Sequence, residues 1–328
     1  MCSYPWLQTF EQVTCKHQDT IASDHSMLIF DTKPCPTRKK KRFYFDKRWL
    51  QREEINDIIK QAWDQDDEGT RMFRVISKVK RCRVTLLQWK NKIQGNAREN
   101  IEALKCQLQE LKTRDFEGKR DVRNGLKKSL KEAYRNEEMY WSQNARVQWL
   151  KIGDKNTSFF HATVEGRRKR NRMLEIQREN GTWTKGEKEL GAEVVDYYKH
   201  LFSTSETREM EEVLDGIPHT ISDSMNENLT KPVGEEEIRL ALFSMYPDKA
   251  PGIDGMPPLF FQKFWHIVKK DIVGAIQTFF HTGHLTKSVN HTIISLIPKV
   301  KIPTSLTHYR PISLRSTVYK IIAKILAC

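Results

Sequence analysis

Long apolar runs are missing from this 328-residue chain. No stretch approaches the roughly 18 to 20 residues that a membrane-spanning helix needs. The opening Met1-Cys2-Ser3-Tyr4-Pro5-Trp6 also lacks the charged-then-apolar pattern of a secretory leader. Regularly spaced cysteines are missing too. Cys2, Cys15, Cys35, Cys82, Cys106 and Cys328 contain no Cys-x-x-Cys pair, which argues against a disulfide framework and fits reduced thiols in a nuclear or cytoplasmic protein. Apolar residues reach only 38% against 30% charged, so a thin core and much exposed helix are expected. Between 46 and 162 proline is absent and glycine sparse, which removes the usual helix breakers.

Positive charge is what the chain has in excess. Lysine and arginine number 56 against 42 acidic residues, a net charge of +14 with a pI near 9.4. Such a balance favours a polyanionic partner, RNA or DNA, through counterion release, and carries no base preference. Two clusters concentrate it. Arg38, Lys39, Lys40, Lys41 and Arg42 follow a proline-bounded stretch, and Arg167, Arg168, Lys169, Arg170 and Arg172 form the densest patch. Both suit a phosphate backbone; a solvated linker is the alternative for the first.

The pattern along the chain is mainly helical α+β. Residues 13–15 and 27–30 read as strands around Ser23-Asp24-His25. Trp49, Ile55 and Trp63 fit a short helix. Ile101, Leu104, Leu108 and Leu111, then Leu126, Leu130, Tyr134 and Trp141, recur at helical steps and predict two long antiparallel helices forming a hairpin. Thr157 can cap a short helix carrying Phe159 and Phe160. Asn180-Gly181 between short apolar runs predicts a β-hairpin. A helix over 187–203 and a broken acidic connector over 203–228 follow. Gly234 then starts a helix with Glu235, Glu236 and Glu237 in its first turn, where negative charge meets the positive helix end. Helices over 258–268 and 271–280 come next, the second closed by Gly283. His281, His284 and His291 have no acidic or thiol companion and read as surface histidines, so no metal site is assigned.

Near the C-terminal end, Ser295-Leu296-Ile297-Pro298 runs into Lys299, and Arg310 opens Pro311-Ile312-Ser313-Leu314 eleven positions later. A β-ribbon would bring these cations over one site. Phosphate recognition needs that combination, a point charge from lysine and a planar fork from arginine.

Lys249-Ala250-Pro251-Gly252-Ile253-Asp254-Gly255, Leu259-Phe260-Phe261-Gln262-Lys263-Phe264-Trp265, Ile297-Pro298-Lys299 and Arg310-Pro311-Ile312-Ser313-Leu314 resemble, in order, the first blocks of reverse transcriptases of non-LTR retrotransposons, of the LINE type found in plants. The resemblance implies polymerase fingers at the entry to a palm, with Lys299 and Arg310 on the incoming nucleotide's phosphates and the template. Ile253 stands where the family usually has proline. Ser23-Asp24-His25 before an apolar strand resembles the closing motif of the endonuclease/exonuclease/phosphatase fold that precedes the polymerase in such polyproteins. By that resemblance Asp24 would orient His25, and without the family's upstream metal ligands the pair would be a relic. The Trp149-Leu150, Gly153-Asp154-Lys155-Asn156-Thr157 and Phe159-Phe160-His161 series resembles the family's linker.

The resemblance therefore implies three parts: an endonuclease remnant over 1–31, a helical basic linker over 32–230 and truncated fingers of a reverse transcriptase over 231–328. The intact family copies RNA into DNA with Mg²⁺ held by palm aspartates. Asp66-Asp67 is the chain's sole Asp-Asp pair and sits in a polar break, so these residues are expected to hold no cofactor and to be inactive as a polymerase alone. A non-catalytic nucleic-acid-binding protein built on the same surfaces is the alternative, and a structural helical scaffold a third reading.

Overall fold

In the computed structural model the described residues are 14–19, 26–31, 42–93, 97–113, 120–145, 147, 157–204, 216 and 220–327. They fall into two units, residues 1–42 and residues 43–328. In the first, β1 (Thr14–Asp19) and β2 (Ser26–Asp31) pair antiparallel from Thr14 opposite Asp31 to Asp19 opposite Ser26. Both expected strands are present, and β1 extends further than its apolar residues. Asp24 and His25 lie outside the described residues, as do Arg38, Lys39, Lys40 and Lys41.

The second unit opens on an aromatic segment. Phe45 is fully buried and its N–H donates to the Gly255 carbonyl at 3.0 Å. Asp46 then caps a short 3₁₀ turn, Lys47–Gln51, by accepting from Arg48 N at 3.0 Å. α1 (Ile55–Trp63) buries Ile55, Ile59, Ala62 and Trp63, a stripe at helical spacing. α2 (Arg71–Ile93) buries Met72, Val75, Val79, Cys82 and Leu86 in the same manner. This long helix adds to the expected hairpin. Burial pushes the Cys82 thiol up to about 12, which makes it a packing residue.

α3 (Ala97–Thr113) and α4 (Arg120–Ala145) pack on each other as expected. Their seam of Leu104, Leu108, Leu111, Leu126, Leu130 and Tyr134 is only half-buried. The end of α4 is better anchored: Gln143 accepts from Lys47 N at 3.2 Å and donates to the Phe45 carbonyl at 3.0 Å. α5 (Thr157–Arg170) rests on that end through Phe160 and Val164 against Ala145 and Trp141. It runs on to include Arg167, Arg168, Lys169 and Arg170 in its last turn, where cations meet the negative helix end.

The hairpin expected around Asn180-Gly181 reduces to a single bridge between Gln177 and Trp183. Gly181 does take the left-handed conformation at φ +80°, but the next rung is incomplete because Ile176 N donates to Thr184 Oγ1 at 3.0 Å instead of to a backbone carbonyl. α6 (Gly186–Leu201) follows. α7 (Asp223–Thr230), capped by Ser222, begins inside the stretch read as a broken connector and runs two residues past it.

α8 (Glu235–Phe243) starts at Gly234, and α9 (Pro258–Lys263) leads into α10 (Trp265–Thr282), which Gly283 closes at φ +67°. The short α11 (Lys287–Asn290) precedes the ribbon of β3 (Ile293–Pro298) and β4 (Tyr309–Leu314), and α12 (Thr317–Ala327) ends the described chain. One core joins these parts. Ile59, Trp63, Val75 and Leu86 meet Ile238, Leu242, Phe260, Phe264, Val268, Ile272 and Ile321 in a single buried cluster. Each such side chain contributes about 1.5–3 kcal/mol by leaving water. Residues on both sides of 230/231 therefore build the same core.

Candidate nucleic-acid interface

The ribbon sets the geometry of the two cations. β3 and β4 run antiparallel with Ile297 opposite Arg310 and Pro298 opposite Tyr309. Lys299 N donates to the His308 carbonyl at 2.8 Å, which continues the ladder one step. Paired residues share a face and alternate residues return to it, so Lys299, Ile297, Arg310 and Ile312 lie on one side. Lys299 and Arg310 are diagonal neighbours there, a separation of roughly 7–8 Å. Both are exposed, with Ile297 39% and Ile312 40% exposed beside them. Lys299 Nζ donates to the Thr307 carbonyl at 2.8 Å, which holds its ammonium near the tip.

The opposite face is anchored. Tyr309 is 3% exposed and packs with Ile176, Leu190, Tyr198 and Leu306, with Leu296 against them. Burial and the neighbouring Tyr198 phenol push the Tyr309 phenol up. With Tyr309 turned inward, Arg310 is turned outward.

The glycines of the 249–255 motif answer to backbone contacts. A Cβ on Gly252 would stand 2.5 Å from Ser316 N, and one on Gly255 would stand 2.3 Å from the Phe43 carbonyl oxygen, where φ is +73°. Gly255 N donates to the Gly252 carbonyl at 3.2 Å, which closes a turn. Ile253, in the middle of that turn, is 52% exposed, so its side chain carries little of the packing. Asp254 accepts from Met256 N at 3.2 Å. Burial pushes its carboxyl up to about 6, against the pull of that N–H and of the Lys320 and Arg83 charges.

The basic clusters divide. Arg42 is exposed. Arg167 is half-buried and donates to the Ala145 carbonyl at 2.6 Å, so it closes the end of α4. Arg168, Lys169 and Arg170 are exposed on the last turn of α5, and Arg172 is half-buried beyond it. His281, His284 and His291 are exposed. Among the described residues no three or more His, Cys, Asp or Glu side chains come together as a metal-holding group. Asp67 is held by Arg81, with its second oxygen buried and unbonded. Asp254 stands among cations. These carboxylates do not fit the paired arrangement that Mg²⁺ would need, and no metal step is derived from them.

One feature goes beyond the residues singled out by sequence. An open cleft of about 850 Å³ lies between the 244–250 segment, the end of β4 and α12, and its walls carry Lys249, Arg315, Lys320 and Lys324. The signal available for it was the four-residue spacing of Lys320 and Lys324, which puts both on one helix face.

No protein-family model matches the chain. Over 315 residues the chain is 27% identical to the Transposon TX1 uncharacterized 149 kDa protein of Xenopus laevis, a match covering 92% of this chain and 24% of that relative. This chain is similar to a transposon protein. It spans about a quarter of that relative's length. Among the described residues no helix is long and apolar enough to cross a membrane.

Proposed function

We propose that these residues are a retrotransposon-derived segment of LINE-type reverse transcriptase, whose ribbon offers Lys299 and Arg310 to the phosphates of a nucleotide or template. The observation that carries the reading is the strand register, which puts a point cation and a guanidinium fork on one exposed ribbon face. The transposon relative supports it from outside the geometry. In this reading residues 1–31 are the remnant of an endonuclease, residues 32–230 a basic linker, and residues 231–328 the fingers. Helices α1 and α2 of the linker serve as the wall on which the fingers rest. A non-catalytic nucleic-acid-binding role for the same surfaces is the second reading, favoured by the absence of a carboxylate cluster among the described residues.

Nucleotide binding tests the first reading. Two charge-assisted contacts without a closing partner surface suit affinity on the order of 1 mM, about 4 kcal/mol. Equilibrium dialysis of a deoxynucleoside triphosphate should show this affinity, lost in Arg310→Ala and not regained in Arg310→Lys, since lysine lacks the fork. Undiminished binding by Arg310→Ala rules the ribbon out as the phosphate site.

A further inference from the structure

The outer side of α8 carries an order of charge that neither the core nor the ribbon uses. Ile238, Ala241 and Leu242 face the core, which leaves Glu236, Glu237, Leu240 and Phe243 on the solvent side. Leu240 is 56% exposed and Phe243 43%, an apolar pair three residues apart. The Tyr246 ring, 46% exposed, carries this patch past the end of the helix. Ahead of the patch, Glu235, Glu236 and Glu237 are all exposed. Beyond it lies the cleft, whose walls hold Lys249, Arg315, Lys320 and Lys324 against one acidic residue, Asp248. A single ridge thus runs from acidic through apolar to basic.

The charged ends are lightly committed within the chain. Glu236 pairs with Arg239 and Glu235 with Lys269 at exposed positions, where such pairs contribute little. Arg315 Nη1 donates to Asn290 Oδ1 at 2.7 Å, a neutral acceptor that fixes the guanidinium without cancelling its charge. Lys249 is exposed. α7 leads into the acidic end and enlarges it. It has no buried residue, its Ile221, Met225 and Leu229 are exposed at four-residue steps, and Asp223 and Glu227 add negative charge.

We infer that the chain forms a two-fold dimer through this ridge, with Leu240, Phe243 and Tyr246 at its centre. A pattern of acid, apolar and base is complementary to itself when reversed. Two copies laid antiparallel about a two-fold axis put the acidic start of each α8 over the basic cleft of the other. With Phe243 beside its own copy at the axis, Leu240 comes opposite Tyr246 of the second chain and Glu237 opposite its Lys249. A free polyanion would fill the cleft and leave Leu240 and Phe243 in water, whereas a second copy covers both. α7 extends the contact toward the roughly 800 Å² per partner of a stable interface. The net charge of +14 opposes association. At physiological salt, however, the Debye length is about 8 Å, so remote charges are screened more than facing pairs. The inference does not rest on the ribbon. Ser313 lines the cleft and alternates with Ile312 along β4, so the Lys299 and Arg310 face lies on the other side of that strand.

Sedimentation velocity of the full 328-residue chain over a concentration series, before and after nuclease treatment, tests it. A monomer–dimer equilibrium unaffected by nuclease is expected. Leu240→Asp places a carboxylate in both halves of the apolar centre and should raise the dissociation constant about a hundredfold or more. Glu237→Lys and Lys249→Glu should each raise it about tenfold, since each change acts twice across the axis. The chain carrying both reversals should regain the original affinity, because the facing pairs are restored. Arg310→Ala should leave the equilibrium unchanged. A chain that stays monomeric at its solubility limit would overturn the dimer, as would a dimer that survives Leu240→Asp or is lost with Arg310→Ala. A doubly reversed chain as weak as its two parents combined, or a dimer that nuclease abolishes, would also overturn it. The substituted positions are on the surface, and circular dichroism confirms the fold of each variant.

Discussion

Removing the Asp271 carboxylate should destabilise the second unit far more than removing the lysine that faces it. Asp271 Oδ2 accepts from Trp63 Nε1 at 2.8 Å and from Lys78 Nζ at 2.9 Å. Trp63 is 1% exposed and Lys78 7%, whereas the Asp271 side chain is 28% exposed. In Asp271→Ala the ammonium stays buried without a counter-charge and the indole N–H loses its acceptor. Breaking a buried pair in this way costs about 3–5 kcal/mol. Water reaching through the partly exposed aspartate position softens that to about 3 kcal/mol, a large share of the 5–15 kcal/mol typical of a domain. Lys78→Met leaves the carboxylate bonded to the indole and to water, and methionine fills the path of the lysine stem. Its cost should be about 1 kcal/mol. Asp271→Leu combined with Lys78→Met should recover most of the loss, because no charge is then left unpaired. Urea unfolding reads all three variants at unchanged slope. Equal costs for the two single variants, or a cost below about 1 kcal/mol for Asp271→Ala, would refute the reasoning. Trp63 and Lys78 belong to α1 and α2 and Asp271 to α10, so the same titration shows whether these helices unfold together.

Acid titration and one glycine give two further tests. The folded Asp254 carboxyl titrates near 6 against an ordinary 3.8, so between those values the folded chain holds a proton that the unfolded chain has released. Stability contributed by this group therefore falls as pH rises from about 4 to about 6 and is flat above, a change of order 2–3 kcal/mol. Asp254→Asn keeps the acceptor for Met256 N and should remove that component from unfolding curves taken at pH 4.5 and pH 7; an unchanged pH dependence counts against it. Gly255→Ala meets both a left-handed backbone and the Phe43 carbonyl, and should cost about 3 kcal/mol. Gly181→Ala, also at positive φ but with open space around it, should cost only the conformational 1–2 kcal/mol. Thermal melts that rank these two glycines equally would deny the close approach at Gly255.

What the sequence made legible was local. The ribbon could be read because two short apolar runs each carry a cation at one end, and strand pairing turns that spacing into a shared face. The helical seam of α3 and α4 followed from its period. The Asn180-Gly181 turn was legible, yet the full ladder expected beyond it did not form, because the Thr184 hydroxyl takes the Ile176 N–H that the next rung needs. α2 was hidden by its charge: Val75, Val79, Cys82 and Leu86 have helical spacing, but Lys78 lies among them and is buried through its pairing with Asp271. The resemblance puts residues 43–93 in a linker, while the folded chain uses them to wall the main core. Core membership depends on distant partners, which no window of sequence contains. The cleft combines the 244–250 segment with α12, seventy residues further on, and was illegible for the same reason.

A ribbon of two strands is marginal in water by itself, so a fixed pair of cations on one face needs support from outside the pair. The chain supplies it at both ends. Tyr309, beside Arg310, is buried against Ile176, Leu190 and Tyr198, which fixes the tip of the ribbon. At the other end the Gly252 backbone lies against Ser316, just past Leu314, and Thr317 Oγ1 donates to the Met256 carbonyl at 2.8 Å. The 249–255 motif thus acts on the cations at a distance, by fixing where β4 leaves the ribbon and α12 begins. Its glycines are required by that backbone contact, and its exposed middle position is free to be isoleucine. The motif and the cations form one device: the loop and the tyrosine hold the strand, and the strand holds the charge.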